Sequence, residues 1–272
     1  MSIKLSILPH QTECLERAIQ VFDKVRLDKT NEIFANPLID INDVNLKRNI
    51  WEIQENFNEK KIPKEYRTYR ENNFGIDIRM ETGTGKTYCY TRLIYELNQK
   101  YGFHKFIILV PTTPIKEGTK SFITSDYANK HFSDLYPNKK LTLSILNAQK
   151  NKKGKRKIFP QAISDFVRGT KLEKTKISVL LMNSGMLLSE GTMDTEYDQA
   201  LFGTYSTPYE TLKATHPIVI IDEPHKFKIE NKAYRILIER INPQCVIRFG
   251  ATFPNIAKDK EKDYNNLIFN LS

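Results

Sequence analysis

The segment Met80–Thr87, with the sequence METGTGKT, has residue types and a spacing that suit the binding of phosphate groups. Glycines in a turn between a strand and a helix let backbone N–H groups wrap an anion, and the helix directs its positive end at the same charge. We expect Lys86 to reach the β- and γ-phosphates of ATP and the Thr87 hydroxyl to bind Mg²⁺. The residues expected at the nucleotide are Thr82, Gly83, Thr84, Gly85, Lys86 and Thr87. Because Met80 stands where the strict pattern has a glycine, a glycine-rich turn without this chemistry is the alternative.

Two adjacent carboxylates form a second group of candidate residues, at the end of the apolar run in Ile218–His225, IVIIDEPH. A buried parallel strand places the residues that follow it at the carboxyl edge of the sheet, where ligands bind in open α/β folds. There Asp222 would hold Mg²⁺, and Glu223 would orient and deprotonate an attacking water. An ordinary solvated strand end is the alternative for this motif alone, and the phosphate-loop pattern upstream argues against it.

The elements that must position these residues alternate between short β-rich runs and helical segments. Several runs are almost continuously apolar, which is typical of strands buried on both faces of a parallel sheet. Strand and helix in alternation predict an open α/β sheet with right-handed crossovers. The predicted strands are 76–80, 106–110, 141–146, 177–181, 218–221 and 245–249, and the predicted helices are 86–100, 114–130, 159–168 and 230–240.

These patterns divide the chain into four segments. Apolar residues at three- and four-residue steps predict an amphipathic helix over 9–25. The polar, Asn- and Lys-rich stretch that follows is interpreted as an insertion with its own helix near 44–60. The assigned segments are an N-terminal helix in 1–27, the insertion in 28–74, the α/β domain in 75–255 and the start of a linker in 256–272.

The composition favours a folded, cytoplasmic protein with a polyanionic partner. The chain has 42 Lys and Arg against 32 Asp and Glu, a net charge of +10. Such a surplus points to nucleic acid first and an anionic membrane second, with a merely solvated basic surface as an equal alternative. No stretch approaches the roughly 20 apolar residues of a membrane span, and the first residues have no signal-peptide core, so we expect no membrane partner. Three widely spaced cysteines, Cys14, Cys89 and Cys245, suggest neither a disulfide framework nor a zinc site.

Two motifs, the acidic pair with the residues that follow it and a short motif downstream, carry a family resemblance. Asp222-Glu223-Pro224-His225 resembles the DExH box of superfamily-two helicases, and Gly250-Ala251-Thr252 resembles the motif that couples ATP state to DNA contacts in those motors. The resemblance implies a RecA-like P-loop NTPase domain, with an open, mostly parallel sheet and helices on both faces. It also implies that His225, Ala251 and Thr252 couple the nucleotide site to DNA.

Three further positions fit the same motors. Gln11, in LPHQTECLERA, looks like the glutamine that reads the adenine edge. The long insertion between Gln11 and the phosphate loop leaves a solvent-facing helical glutamine as an alternative. Pro111 and Thr112 are similar to a DNA-backbone motif that follows a strand, and Asn183 and Ser184 lie where another such motif would fall.

Four segments taken together point to one subfamily of these motors, because they look like the Res subunit of type III restriction-modification enzymes. The segments are METGTGKTYCYTRLIYEL, FIILVPTTPIKEG, IIDEPHKF and GATFP. The resemblance implies an ATP hydrolase that couples hydrolysis to DNA translocation or switching. It implies DNA and a methyltransferase subunit as partners, and a site-specific deoxyribonuclease as the parent protein. This stretch of sequence shows no convincing carboxylate–lysine nuclease pattern.

A complete motor of this kind has a second RecA-like domain whose arginines stabilise the γ-phosphate. Since the α/β rhythm does not recur after Thr252, we expect a truncated chain with weak or no turnover alone. Alternatives are a DNA- or partner-binding fragment that hydrolyses nothing, another superfamily-two DNA repair helicase, and a P-loop ATPase unrelated to nucleic acid. The basic segment Lys150–Lys157 would contact DNA phosphates or be a solvated loop.

Overall fold

Parallel strands form the centre of the computed structural model, which describes residues 5–56, 62, 66–67, 69–70, 73–148, 158–168, 175–197, 200–228, 231–255 and 263–271. A two-residue antiparallel ladder, β1 (Leu27–Asp28) with β2 (Leu38–Ile39), comes first. The main strands are β3 (Gly75–Met80), β4 (Lys105–Val110), β5 (Lys140–Ile145), β6 (Lys176–Asn183), β7 (Ile218–Asp222), β8 (Cys245–Gly250) and β9 (Leu267–Leu271). Their order across the sheet is β5-β6-β4-β7-β8-β3-β9, and every pairing is parallel.

All six runs predicted as strands are confirmed, and the structure adds a seventh. β9 pairs with β3 at the edge of the sheet, with Ile78 beside Phe269. The assignment of residues 256–272 to a linker is therefore wrong for Leu267–Leu271, which complete the sheet. The apolar run of β9 is short and follows a polar stretch, so hydrophobic periodicity does not predict a strand there.

The helices are α1 (Pro9–Gln20), α2 (Val44–Asn56), α3 (Lys86–Tyr101), α4 (Thr113–Thr124), α5 (Asp126–Leu135), α6 (Gln161–Arg168), α7 (Ser184–Leu187), α8 (Glu190–Met193), α9 (Pro208–Ala214) and α10 (Lys232–Ile236), the last continued by a π-helical turn at Leu237–Ile241. The single helix predicted over 114–130 is instead two helices. Ser125 interrupts it, because its side chain accepts a hydrogen bond from the Ala128 N–H and caps α5.

Alternate residues of the central strands β4, β6 and β7 are buried in two separate cores, one on each face of the sheet. Along β4, Phe106 and Ile108 belong to the core formed with α1 to α5, whereas Ile107 and Leu109 belong to the core formed with α6 to α10. All six residues of β4 are buried. The predicted α/β fold with helices on both faces is confirmed.

The described residues of the segment interpreted as a polar insertion pack into the main fold. Leu46, Ile50 and Ile53 of α2 are buried in the first core. The fully buried Asn36 donates through Nδ2 to the Lys105 and His216 carbonyls, and its Oδ1 accepts from the N–H groups of His104 and Lys105. Because this one side chain satisfies backbone groups at the starts of β4 and β7, Asn36 has a bracing role: it holds the N-terminal ends of these two strands together.

A buried ion pair ties the end of the described chain to the sheet. Arg248 on β8 donates to both oxygens of Asp77 on β3, at 2.6 and 2.7 Å, and to the backbone carbonyl of Asp263. Neither Arg248 nor Asp77 has any solvent exposure. Since an isolated buried charge is strongly destabilising, the two side chains depend on each other.

No helix within the described ranges is long and apolar enough to cross a bilayer.

Candidate nucleotide site

The phosphate-loop motif and the acidic pair lie at the same edge of the sheet. Lys86 follows β3, Glu223 follows β7, and only β8 separates these two strands. Parallel strands end on one side, so their following residues converge there. Gly83 and Gly85 have φ values of 84° and 89°, in the left-handed region where a side chain would be strained, and α3 begins directly after Gly85.

Lys86 and Glu223 form the centre of the site. The Nζ atom of Lys86 lies 3.1 Å from Oε1 of Glu223, and the lysine side chain is only 9% exposed. Burial strengthens this attraction relative to a surface pair, because water screens it less. Glu223 itself has a φ of 56° and donates its N–H to the Phe249 carbonyl of β8. A non-glycine residue held in this conformation costs about 1–3 kcal/mol, a strain that is found most often at functional sites.

Asp222 is a buried carboxylate with an unsatisfied oxygen. Its Oδ1 atom has no hydrogen-bond partner among the described residues, and the side chain is almost fully buried. Burial, with a further contribution from the charge of Glu223, raises the pKa of Asp222 to about 6, although Lys86 opposes the shift. A divalent cation would supply the missing partner and favour the ionised carboxylate. The residues present therefore fit a Mg²⁺ ion at Asp222.

Gln11 lies against the phosphate loop despite the long sequence between them. Its Nε2 donates to the Thr84 carbonyl at 3.2 Å, and its Oε1 accepts from the N–H of Leu8 at the start of α1. The side chain is 4% exposed. The alternative of a solvent-facing glutamine is therefore wrong. The neighbouring His10, which sequence reasoning did not single out, contacts the same carbonyl through Nε2 at 3.0 Å.

The motif at Gly250–Thr252 packs directly on the acidic motif. A Cβ atom on Gly250 would lie 2.4 Å from Cδ of Pro224, so only glycine permits this contact. The Ala251 carbonyl accepts a hydrogen bond from Nε of Arg79, and Thr252 is exposed. Arg79 was not predicted as a site residue, because one arginine inside a strand carries no motif.

His225 lies beside the central pair. Its Nδ1 is 3.4 Å from Oε2 of Glu223, and about a third of its side chain is exposed. The coupling role of His225 remains a prediction. Three tyrosines of α3 are buried and serve in packing: Tyr88, Tyr90 and Tyr95.

The two predicted DNA-contact motifs meet at the ends of β4 and β6. The Ser184 hydroxyl donates to the Pro111 carbonyl at 3.2 Å, and Nδ2 of Asn183 donates to Oγ1 of Thr113 at 3.3 Å. Thr112 is exposed beside them. These hydroxyl and amide groups form one polar surface at the same edge of the sheet as Lys86. The basic segment Lys150–Lys157 lies outside the described residues.

The strand order, the loop after β3 and the acidic pair after β7 together define a RecA-like α/β domain of the P-loop class. Comparison with known proteins gives the family. The family model described as type III restriction enzyme, res subunit matches residues 4–255. The chain belongs to this family.

Curated relatives agree with the family match. The chain is 43% identical over 267 residues to the Res subunit of the type III restriction-modification enzyme StyLTI from Salmonella typhimurium, covering 97% of this chain and 24% of that protein. It is 38% identical over 271 residues to the EcoP15I Res subunit from Escherichia coli, covering 97% of this chain and 27% of the relative. This chain thus spans about a quarter of the length of the relatives. Among solved structures, the type ISP restriction-modification enzyme LlaBIII bound to DNA is similar at 15% identity and a TM-score of 0.47, over 99% of this chain and 15% of that one.

Proposed function

We propose that this chain binds ATP with Mg²⁺ and is the nucleotide-binding half of a DNA motor. The observation that carries the proposal is the contact of Lys86 Nζ with Glu223, 3.1 Å away, beside the unsatisfied carboxylate of Asp222. An ammonium, a candidate base and a candidate metal ligand therefore occupy one edge of the sheet. This combination is what phosphoryl transfer to water requires, since that reaction depends mainly on positioning and charge stabilisation.

Each of these side chains has a distinct proposed role. The Lys86 ammonium binds the terminal phosphates, which compete with Glu223 for the same positive charge. Glu223, released from the ammonium, orients the attacking water and accepts its proton. Thr87 and Asp222 would hold Mg²⁺, which when bound neutralises charge on the β- and γ-phosphate oxygens. Gln11 reads the adenine edge, and Thr82 to Gly85 contact the phosphates through the backbone.

The DNA-related part of the proposal rests on the polar surface at Pro111, Thr112, Asn183 and Ser184. Hydroxyl and amide donors of this kind contact phosphate oxygens without reading sequence. We assign DNA-backbone contacts to these four residues and coupling roles to His225, Ala251 and Thr252. For the whole protein, the proposed activity is ATP-dependent translocation or switching on DNA, with site-specific cleavage in association with a methyltransferase subunit.

A titration of ATP with Mg²⁺ tests the nucleotide assignment. Calorimetry on the chain should show saturable binding that Lys86→Ala abolishes. Lys130→Ala is the matched control, because Lys130 is exposed on α5 and the same charge is removed. Unchanged affinity in Lys86→Ala would refute the assignment.

ATP turnover with and without duplex DNA at low salt tests the motor assignment. We expect slow hydrolysis with little stimulation by DNA, since the arginines of a second motor domain are needed for fast turnover. DNA affinity that ignores both nucleotide and Lys86→Ala would favour a binding fragment without hydrolysis. Turnover without any DNA binding would favour an ATPase unrelated to nucleic acid.

A further inference from the structure

We infer that His10 is a positioning residue of the nucleotide site. It orients the peptide between Thr84 and Gly85 and thereby sets the affinity of the phosphate loop for a polyphosphate, not for the base. The inference rests on the proposed function, because it assigns a role within the same site.

The contact that carries the inference joins two segments far apart in sequence. Nε2 of His10 lies 3.0 Å from the Thr84 carbonyl oxygen, across 74 positions of the chain. Gln11 Nε2 donates to the same oxygen at 3.2 Å. A carbonyl oxygen has two lone pairs, so these two side chains from the first turn of α1 occupy both.

The phosphate loop has few other contacts that could fix this peptide. Thr84 stands between Gly83 and Gly85, both of which have positive φ and are the least restricted residues of the loop. The N–H and hydroxyl of Thr84 donate to the Glu81 carbonyl and hold the N-terminal side of Thr84. The Gly85 carbonyl accepts from the Cys89 N–H of α3. The Thr84 carbonyl, which lies between these two points, is held by α1.

Peptide geometry converts this contact into a property of the phosphate site. In a planar trans peptide the C=O and N–H groups point in opposite directions. With the Thr84 carbonyl directed at His10 and Gln11, the Gly85 N–H is directed away from α1. Gly85 immediately precedes α3, whose first-turn N–H groups lack partners within the helix and attract anions. His10 therefore acts on the phosphates through the backbone of the loop.

His10 and Gln11, which are neighbours on α1, have roles that can be tested separately. Gln11 also accepts the Leu8 N–H through Oε1 and lies so close to Gly85 that an added Cβ would be 2.5 Å from its Nε2. Its amide retains a donor and an acceptor that can read a base. The imidazole of His10 has its Nε2 committed to the loop, so substituting His10 should change phosphate affinity and leave base preference unchanged.

Two substitutions at His10 separate the hydrogen bond from the ring. His10→Phe keeps a ring of similar size and removes the donor. His10→Gln removes the ring and keeps an Nε2 donor at the same number of bonds from Cα. Glu16→Gln is the control, because Glu16 is exposed on α1. The probes are ATP, GTP and inorganic tripolyphosphate, each with Mg²⁺, titrated calorimetrically against the chain, together with the melting temperature without ligand.

The expected result is that His10→Phe weakens ATP and tripolyphosphate binding by the same factor, about fivefold to tenfold. His10→Gln should recover most of this loss, and the preference for ATP over GTP should not change. A loss confined to ATP would show contact with the base and would overturn the inference. A lower melting temperature with unchanged affinities, or no recovery in His10→Gln, would show a merely structural role and also overturn it. Failure of the unchanged chain to bind any probe would instead refute the proposed function itself.

Discussion

Replacement of Asp222 by asparagine should make the fold more stable at neutral pH, although Asp222 is assigned to the site. The side chain is buried and its pKa is raised to about 6, against an ordinary value of 3.8. The difference of about two pKa units corresponds to about 3 kcal/mol spent on keeping the carboxylate ionised at pH 7.5. Asp222→Asn removes this cost, because an amide does not ionise.

The effect has a defined dependence on pH. Above about pH 6 the carboxylate is ionised in both the folded and the unfolded chain, so the variant has its full advantage. Between about pH 6 and 3.8 the folded form binds the proton first, and the wild-type chain gains stability as the pH falls. Below 3.8 both forms are neutral and the two proteins should be equally stable in respect of this group.

Urea denaturation in the presence of a chelator, at pH 7.5, 5 and 3.5, measures this difference. Asp134→Asn is the control, because Asp134 is exposed on α5 and the substitution removes the same charge. An Asp222→Asn variant no more stable than wild type at pH 7.5, or a difference that does not shrink as the pH falls, would refute the reasoning.

Three further predictions follow from contacts in the fold. Arg248→Met leaves Asp77 buried without the guanidinium that pairs with it, and should lower the unfolding free energy, measured by urea denaturation, by about 3–5 kcal/mol. A loss below about 1 kcal/mol would contradict the dependence of the two side chains on each other. Asn36→Ala removes the hydrogen-bond partner of four backbone groups and should lower the unfolding free energy, measured by urea denaturation, by more than about 3 kcal/mol. A loss below about 0.5 kcal/mol, which is typical of a surface substitution, would show that the bracing role is wrong. Gly250→Ala places a Cβ atom against Pro224 and should lower both stability and ATP affinity, whereas Gly118→Ala, in open space on α4, should raise stability by about 1 kcal/mol. Equal effects of the two glycine substitutions would contradict the close packing at Gly250.

Much of the sheet could be predicted because buried parallel strands are continuous apolar runs. β4 and β7 are examples, since all their residues are buried and the runs stand out from their flanks. The strand order could not be predicted in the same way. Parallel strands have no turn that fixes their neighbours, and hydrophobic periodicity is the same whichever strand lies alongside.

The site was predictable where chemistry imposes a motif and not where a single side chain acts through the backbone. The residues around Lys86 and Asp222 could be named as candidates because glycines and paired carboxylates at fixed positions are rare outside such sites. His10 and Arg79 contact backbone carbonyls, and no spacing marks such contacts. Asn36 was hidden for the same reason, inside a stretch whose polarity suggested a surface insertion.

The position of β3 within the sheet has a consequence for the order in which the molecule is made. β3 carries the phosphate loop, yet both of its neighbours, β8 and β9, come from the last part of the described chain. α1 also reaches that part, because Arg17 donates to the Ile268 carbonyl. During synthesis, therefore, β3 and α1 are available long before the strands that must flank them. The strand that carries the phosphate loop gains its two neighbours only once residues 245–271 have been made, so we expect nascent chains to bind nucleotide only after that point.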